Sequence, residues 1–298
     1  MSAAGSRTAW LVTGARGQLG RDLLDHLSRR DGDVVTAVGR AEVDLTDEAS
    51  VRGAVRGWVA SAAADRLVLV NAAAYTAVDA AETDEGTALI VNGHAPGWLA
   101  EEVAGHGRLV HVSTDYVFDG TATEPYPVDA PVAPRSAYGR TKAAGEAAVA
   151  AVDADASVVR TAWVHSRHGG NFVATMTSLE GQRETVSVVD DQVGSPTWSW
   201  DLAGGLVALG AATRAVPPLL HYTDEGQVSW HGLAQAVFEE LGADPARVLP
   251  TTSADFVRPA PRPAWSVLDG STWDAAGLLA RRGWRTALAE AMQAGPRG

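Results

Sequence analysis

Residues 8–20, TAWLVTGARGQLG, join an apolar run to a glycine-rich turn and decide the fold of the chain. The run TAWLVT reads as a β-strand, and leucines at positions 19, 23, 24 and 27 indicate an amphipathic helix over residues 18–29. The G-x-x-G-x-x-G pattern between them allows a tight turn and a close backbone approach to a pyrophosphate at the helix N-terminus. This predicts a dinucleotide-binding strand–turn–helix, with an ordinary tight turn as the alternative. The predicted cofactor contacts are Gly14, Arg16, Gly17, Gln18, Leu19 and Gly20.

Strand-like and helix-like segments alternate over the first half of the chain. Further helices are predicted from residue 47 and over residues 136–151. Further strands are predicted at residues 33–38, 43–45, 67–71, 109–113 and 157–161. The run LVLVN at 67–71 is apolar throughout, as a strand covered on both faces requires. The alternation predicts an α/β fold with a Rossmann-type doubly wound parallel sheet.

The character of the sequence changes after about residue 160, where Gly, Pro and Trp become denser and the strict alternation stops. We therefore predict an NADP-binding Rossmann domain over residues 1–160 and a smaller, irregular α/β substrate-binding lobe over residues 161–298. Some elements of the second part, roughly residues 185–215, are expected to return to the first domain.

Composition limits the classes of protein to which the chain can belong. Its 298 residues, of which 46% are hydrophobic, are typical of a soluble globular protein. The net charge of −12 argues against nucleic-acid partners, and no apolar run of roughly 18 residues suggests a membrane span. Residues 1–10 show no secretory signal pattern, and the chain has no cysteine. We therefore predict a cytoplasmic protein without membrane association, disulfides or thiolate metal sites.

The end of the second predicted strand indicates which cofactor binds. NAD-binding proteins place a carboxylate there for the ribose 2′-hydroxyl, whereas this strand ends in Val38-Gly39-Arg40. Arg40 can pair with a 2′-phosphate, assisted by Arg16, so NADPH is the predicted cofactor and NADH the alternative. A solvent-facing role for Arg40 is the competing interpretation. The remaining predicted cofactor contacts are Asp44 and Leu45 at the adenine, and Ala72, Ala73 and Ala74, where a bulkier side chain would clash.

Tyr138 and Lys142 are four residues apart and therefore share one face of the predicted helix 136–151. A nearby cation stabilises a phenolate and lowers the pKa of the tyrosine. Lys142 is the only lysine among 24 basic residues, which suggests a position that needs a compact ammonium. Thr114 ends a predicted strand at the edge where open α/β sheets bind ligands, and its hydroxyl can bond a carbonyl oxygen. Thr114, Tyr138 and Lys142 are the predicted catalytic residues, and Tyr138 and Lys142 are also expected to contact the cofactor.

These features together resemble the extended short-chain dehydrogenase/reductases and, among them, the dTDP-4-dehydrorhamnose reductase family. The shared marks are the glycine loop, the alanines after the 67–71 strand, the hydroxyl residue at 114 and the Y-x-x-x-K helix. The likeness runs from about residue 10 to about residue 268. The more particular segments are Asn71-Ala-Ala-Ala-Tyr-Thr-Ala-Val-Asp79, Val112-Ser-Thr-Asp-Tyr-Val-Phe-Asp-Gly120, Arg160-Thr-Ala-Trp-Val164, Asn171-Phe172, Val189-Asp-Asp-Gln-Val-Gly-Ser-Pro-Thr197 and Arg262-Pro263.

The resemblance implies NADPH-dependent reduction of the C4 ketone of a dTDP-4-keto-6-deoxyhexose, the final step of dTDP-L-rhamnose synthesis. Tyr138 would donate the proton, Lys142 would lower the pKa of Tyr138 and hold the nicotinamide ribose, and Thr114 would orient the carbonyl. The implied substrate residues are Asp115 and Tyr116 beside the nicotinamide and the sugar, Trp163, which would pack on the substrate, and Asn171, which would contact it.

The chain departs from the family pattern at His165, where a Tyr or Phe is frequent, and His168 follows nearby. The identity of the hexose therefore stays open. The carboxylates that bind Mg²⁺ between subunits in some members have no match here, so no metal is predicted. We expect a monomer or a homodimer. The alternative functions are a related nucleotide-deoxysugar 4-ketoreductase of antibiotic biosynthesis, including the dihydrostreptose type, a non-catalytic NADP-binding regulatory subunit, and an epimerase with bound NAD.

Overall fold

A parallel sheet covered by helices on both faces is the centre of the fold. The computed structural model describes residues 7–295. Residues 1–6 and 296–298, which the predicted domains include, lie outside the described residues, and so does most of the 1–10 segment without a signal pattern. Within residues 7–295, none of the helices has the length and apolar character that crossing a bilayer requires.

The strands are numbered in chain order. They are β1 (Thr8–Thr13), β2 (Val34–Val38), β3 (Arg66–Asn71), β4 (Arg108–Thr114), β5 (Asp155–Thr161), β6 (Val164–His165), β7 (Val186–Val189), β8 (Val193–Gly194), β9 (Thr197–Trp198), β10 (Leu219–His221), β11 (Val228–Ser229) and β12 (Val248–Thr251).

The α-helices are numbered in the same way. They are α1 (Gln18–Leu27), α2 (Glu48–Ser61), α3 (Val78–Ala81), α4 (Glu85–Leu89), α5 (Ala95–Val103), α6 (Ala137–Ala150), α7 (Phe172–Glu180), α8 (Ser199–Ala211), α9 (Trp230–Glu240), α10 (Ser271–Ala275) and α11 (Trp284–Gln293). One π-helical turn, Ile90–His94, joins α4 to α5, and 3-10 turns occur at Asp115–Val117 and Pro245–Arg247.

In the described part of the chain, the central sheet has six strands in the order β10-β5-β4-β3-β1-β2, and all of its pairings are parallel. The strand order reverses at β1, which lies between β2 and β3. Open α/β sheets bind ligands at such a switch point, outside the carboxyl ends of the strands. The pairing register also places Thr13 beside Asn71, and Asn71 beside His111.

Separate apolar clusters cover the two faces of the sheet. On one face, Leu23 and Leu27 of α1 and Leu206 of α8 pack with Trp10 of β1, all at most 1% exposed. On the other face, the apolar sides of α2 and α5 pack on β3 and β4. Burying a leucine side chain contributes roughly 1.5–3 kcal/mol, so these two layers hold the sheet edge and its ligand crevice rigid.

The second part of the chain forms a smaller lobe with its own core. Val173 of α7, Val186 of β7, Leu233 and Phe238 of α9 and Leu288 of α11 are buried together. β12 pairs with β7 in a parallel two-stranded sheet. The predicted fold class, a Rossmann-type parallel sheet with a smaller irregular α/β lobe, is confirmed.

The predicted strand at residues 43–45 is wrong. This segment is a turn in which the backbone N–H groups of Glu42 and Val43 donate to Gly39 O. The Asp44 carboxylate accepts bonds from the N–H and the hydroxyl of Thr46. Because these local bonds occupy the backbone, the segment does not pair with β2 at the edge of the sheet.

Residues 185–215 were expected to return to the first domain. The later element that joins the central sheet is instead β10, at residues 219–221, which pairs with β5. Within residues 185–215, α8 does pack against the first half of the chain, on α1. The division of the chain into domains at residue 160 stays a prediction.

Candidate active site at the switch point

A cavity of about 1010 Å³ opens at the carboxyl ends of the central strands, where the switch point lies. Glycines of the β1–α1 loop, the residues that follow β2 and β3, the end of β4 and one face of α6 form its walls. Of the sequence-predicted site residues, it brings together Gly14, Arg16, Gly17, Gln18, Leu19, Arg40, Asp44, Leu45, Ala72, Ala73, Ala74, Thr114, Asp115, Tyr116, Tyr138, Lys142 and Trp163.

The glycine loop has no room for side chains at two positions. Gly14 has a φ of +68°, and a Cβ there would lie 2.7 Å from Ala73 N. A Cβ on Gly20 would lie 2.2 Å from Gly14 O. Gly20 therefore acts by letting α1 approach the loop and does not line the cavity, in contrast to the predicted direct contact. Gly17 precedes α1 without a side-chain cap, so the first N–H groups of that helix face the cavity end of the loop.

The far end of the cavity carries both arginines that were predicted to read the cofactor. Arg40 is exposed and lines the cavity directly after β2. Arg16 is paired with Glu42 at 2.5 Å, and the other oxygen of Glu42 accepts a bond from Gly39 N at 2.8 Å. Because Glu42 already neutralises Arg16, Arg40 is the cation better placed to receive an additional phosphate.

Tyr138 and Thr114 meet at the inner end of the cavity. Ser136 begins α6 by accepting a bond from Gly139 N at 3.1 Å, and Tyr138 lies in the first turn of this helix. The rings of Tyr138 and Tyr116 are in edge contact, with centroids 5.5 Å apart. Burial, and then the carboxylate of Asp115, raise the pKa of Tyr138 to about 12, although the Thr114 hydroxyl acts in the opposite direction.

Asp115 lies beneath these side chains and is 4% exposed. One of its oxygens accepts a bond from the Thr114 hydroxyl at 2.8 Å. Burial raises the pKa of Asp115 to about 6, so the group is still mostly a carboxylate at neutral pH and takes up its proton as the pH falls through 6. The Thr114 hydroxyl is therefore held at a defined position: its proton is donated to Asp115, and its oxygen accepts a bond from Tyr116 N at 3.3 Å.

Lys142 lies one helical turn beyond Tyr138 and is 2% exposed. Its amine donates to Val112 O at 2.6 Å and lies 3.4 Å from His111 Nε2. Burial lowers the pKa of Lys142 to about 8, and the carboxylate of Glu146 acts in the opposite direction. The expected lowering of the Tyr138 pKa by Lys142 is not what this structure shows: burial and Asp115 raise that pKa, and the group that lowers it is the Thr114 hydroxyl.

Trp163 and Asn171, which the resemblance assigned to the substrate, are placed differently. Trp163 lines the cavity and stacks on Trp230 with centroids 3.5 Å apart. Its φ of +46° makes it the one non-glycine residue among those described with a left-handed backbone. Asn171 does not line the cavity: its side chain accepts from Ala174 N at the start of α7 and donates to Ser166 O at 2.7 Å.

His165 and His168, where the chain departs from the family pattern, differ in their position relative to the cavity. His165 is buried away from the cavity, and burial lowers its pKa to about 4. His168 lines the cavity, and its Nε2 is 3.4 Å from Asp22 Oδ1.

Three side chains near the cavity could ligate a metal ion: Asp22, Asp25 and His168 offer ligand atoms within 4.8 Å of one another. The guanidinium of Arg167 already pairs with Asp25 at 2.7 Å and with Asp22 at 3.5 Å. The positive charge that these two carboxylates need is therefore supplied by an arginine. The absence of a metal stays a prediction.

The buried residues Thr13, Asn71 and His111 were not predicted to belong to the site, although Asn71 was quoted in a family segment. They run from the cavity wall to Lys142. A polar residue within an otherwise apolar buried strand, such as the histidine in LVHVS, was the sequence signal that could have revealed them.

Comparison with known proteins supplies independent information. The family model described as the RmlD substrate binding domain matches residues 8–295. A dTDP-4-dehydrorhamnose reductase of Streptomyces griseus is 51% identical over 97% of this chain and 94% of that relative. A probable dTDP-4,6-dihydroxy-2-methyloxan-3-one 4-ketoreductase of Streptomyces antibioticus is 50% identical over 95% of this chain and 94% of that relative. The crystal structure of a dTDP-4-dehydrorhamnose reductase from Bacillus anthracis in complex with NADP has a TM-score of 0.88 at 30% identity, covering 97% of this chain and 99% of that chain.

Proposed function

The chain belongs to the family of the RmlD substrate binding domain, and on this premise we propose that it reduces the C4 ketone of a dTDP-4-keto-6-deoxyhexose with NADPH. We propose dTDP-4-dehydrorhamnose as the substrate and dTDP-L-rhamnose as the product. The observation that carries this proposal is the convergence of Thr114, Tyr138 and Lys142 on one cavity, beside a glycine cradle for a dinucleotide.

The residues at the cradle fit NADPH. A Cβ at Gly14 would lie 2.7 Å from Ala73 N, so the β1–α1 loop and the residues after β3 approach each other too closely for any side chain at Gly14. The N-terminus of α1 offers N–H donors to a pyrophosphate, and Arg40 offers a guanidinium to a 2′-phosphate. When bound, the cofactor supplies the hydride that the ketone carbon gains.

The side chains of this chain supply the proton and the orientation. When the substrate binds, the Thr114 hydroxyl turns its proton from Asp115 to the ketone oxygen and so orients the carbonyl. Tyr138 donates its phenol proton to that oxygen, so the ketone becomes a hydroxyl. A raised pKa suits this direction, because the phenol stays protonated at neutral pH until the oxygen becomes basic. Lys142 then stabilises the phenolate and returns a proton to it.

The left-handed backbone of Trp163 supports a substrate role for its ring. A non-glycine residue in this region costs of order 1–3 kcal/mol, and such residues cluster at ligand sites. Trp230 stacks on one face of the Trp163 indole and holds that ring in place. The other face of the Trp163 indole is left for a ligand. We propose that this face packs on the sugar. Asn171, which caps α7, is not proposed as a direct contact.

A second candidate, reduction of another 4-keto nucleotide deoxysugar of antibiotic biosynthesis, is favoured by one comparison. The Streptomyces antibioticus relative carries a ketoreductase name for a different sugar at nearly the same identity. His168 lines the cavity where the chain departs from the family pattern, and we propose that a different sugar would be distinguished there.

A substrate panel separates these candidates. Purified protein with NADPH is expected to oxidise the cofactor fastest with dTDP-4-dehydrorhamnose, measured by loss of absorbance with product analysis. Faster turnover of another 4-keto sugar would favour the second candidate. Cofactor binding without turnover of any keto sugar would favour the non-catalytic subunit, and NAD retained through purification would favour an epimerase.

Arg40 tests the choice of cofactor. Arg40→Ala is expected to lower kcat/KM for NADPH by about tenfold to a hundredfold, because a charge-assisted bond contributes roughly 1.5–3 kcal/mol. The value for NADH should stay within about twofold, since its ribose lacks the 2′-phosphate. Arg183→Ala, which removes an exposed arginine outside the cavity lining, is the matched control. Equal losses with both cofactors would refute a role in reading the 2′-phosphate.

A further inference from the structure

A chain of buried polar side chains crosses three strands of the sheet and ends at Lys142. The register places Thr13, Asn71 and His111 side by side on β1, β3 and β4. The Thr13 hydroxyl donates to Asn71 Oδ1 at 2.6 Å, and Asn71 Nδ2 lies 3.0 Å from His111 Nδ1. All three residues are at most 3% exposed. Buried polar groups of this kind need mutual hydrogen bonds, so their orientations are interdependent.

The orientation of the Asn71 amide follows from a backbone group. Ala73 N–H can only donate, and it points to Asn71 Oδ1 at 3.3 Å. This atom is therefore the oxygen, and the amide nitrogen faces the imidazole. Because the Nδ2 group of Asn71 donates, His111 Nδ1 accepts, and the ring proton of the neutral histidine is on Nε2. Burial lowers the pKa of His111 well below its usual range, which keeps the ring neutral.

The ring N–H of this tautomer is directed at the amine of Lys142. The distance from His111 Nε2 to Lys142 Nζ is 3.4 Å, and the second neighbour of the amine is Val112 O at 2.6 Å. A neutral amine accepts a bond from the ring and donates one to the carbonyl. An ammonium keeps the bond to the carbonyl but faces the positive end of the ring N–H dipole.

We propose that Asn71 and His111 are positioning residues that act through Lys142: the amide holds the ring in its Nε2–H form, and the ring N–H faces the amine and makes the ammonium a readier proton donor. The inference deepens the proposed reductase function, in which Lys142 returns a proton to Tyr138. A phenolate generated in a buried site is reprotonated faster by an ammonium that is itself poorly stabilised.

The other charged and titratable groups around Lys142 do not produce this effect. Glu146, one turn further along α6, favours the ammonium. Its carboxylate is shared with Arg160 at 2.6 Å and with the Ser113 hydroxyl at 2.5 Å, which weakens that influence. Tyr138, one turn earlier, is neutral while its phenol is protonated. Burial lowers the pKa of Lys142. In the proposed arrangement the ring N–H of His111, 3.4 Å from the amine, acts in the same direction.

The sign of the pH dependence follows. Burial lowers the pKa of Lys142 to about 8, so the ammonium predominates at neutral pH and is lost as the pH rises past 8. If proton return needs the ammonium, kcat falls along an alkaline limb near that pH.

The single lysine of the chain makes a direct measurement available. Protein labelled with ¹³Cε-lysine carries one labelled side chain, so its NMR titration reports Lys142 without any substrate. In the wild type we expect a midpoint near pH 8. In ¹⁵N-histidine-labelled protein, His111 should show a protonated Nε2 and an unprotonated Nδ1. A His111 ring protonated on Nδ1 would overturn the inference.

Asn71→Asp reverses the proposed arrangement with an isosteric side chain. A carboxylate accepts from Nδ1–H, so Nε2 becomes an acceptor for the ammonium, and the Lys142 midpoint should rise by about one pH unit. The alkaline limb of kcat should move by the same amount. An unchanged midpoint would contradict the inference.

The double variant Asn71→Asp/His111→Phe separates the ring from the added charge. If the effect travels through the imidazole, less than half of the upward shift should remain in the double variant. A full shift would assign it to the charge alone and refute the role of His111. If Asn71→Asp does not fold, the wild-type tautomer decides the question. If the wild type showed no turnover, the proposed reductase function would be refuted. The His111 tautomer and the Lys142 midpoint, both measured by NMR without substrate, would still test this inference.

Discussion

Tyr138→Phe is expected to lower kcat for the keto-sugar reduction by about 10²- to 10⁴-fold, the contribution typical of a positioned proton donor. The ring contact with Tyr116 needs only the aromatic ring, so the packing of the cavity is retained. The Kd for NADPH should stay within about twofold, because the glycine cradle and Arg40 do not involve the phenol hydroxyl. Steady-state rates and fluorescence titration of NADPH give the two values.

Tyr222→Phe is the matched control for this variant. Tyr222 is another buried tyrosine, 1% exposed, but it packs on Trp273 outside the cavity. Removing its hydroxyl should leave kcat close to that of the wild type. Wild-type turnover in Tyr138→Phe would remove the proton-donor assignment, whatever the control shows.

Lys142→Arg is expected to lower kcat by roughly 10²-fold, although the charge at this position is kept. The amine fits between Val112 O and His111 Nε2, at 2.6 Å and 3.4 Å, in a space that is 2% exposed. A planar guanidinium is larger than this space, and its proton is not released at accessible pH. The alkaline limb of kcat near pH 8 should therefore disappear along with most of the rate.

Arg140→Lys on the same helix is the control for this exchange. Arg140 is exposed and pairs with Glu85 at 2.8 Å, an ion pair of the kind that contributes about 0–1 kcal/mol. Its replacement should change neither kcat nor thermal stability appreciably. If Lys142→Arg turned over as fast as the wild type, a compact and titratable ammonium would not be required at this position.

The sequence predicted the elements that apolar runs define. β1, β3, β4 and β5 begin and end within two residues of their predicted bounds. The segment 43–45 shows the limit of this reasoning, because its local turn bonds outweighed a β-like pattern. The short β10 has three residues, and only its pairing with β5 identifies it as part of the central sheet.

The candidate site was predictable to a similar degree. Thr114, Tyr138 and Lys142 were found from a strand end and a helical spacing, and the cavity brings them together. Gly20 and Asn171 were assigned direct contacts, whereas one packs against the loop and the other caps a helix. His111 was not predicted to belong to the site, because its alignment with Asn71 and Lys142 depends on strand register and helix docking.

The amino-acid sequence was enough to predict the α/β class, the glycine loop after β1 and the helical spacing of Tyr138 and the single lysine. These depend on local periodicity and spacing, which neighbouring residues specify. The surroundings that set the protonation of that lysine could not be predicted from the sequence. Burial, the Val112 carbonyl and an imidazole held by Asn71 come from two strands and one helix that are distant along the chain. The pKa of a buried amine depends on what surrounds it in space, and that arrangement exists only once the sheet has formed.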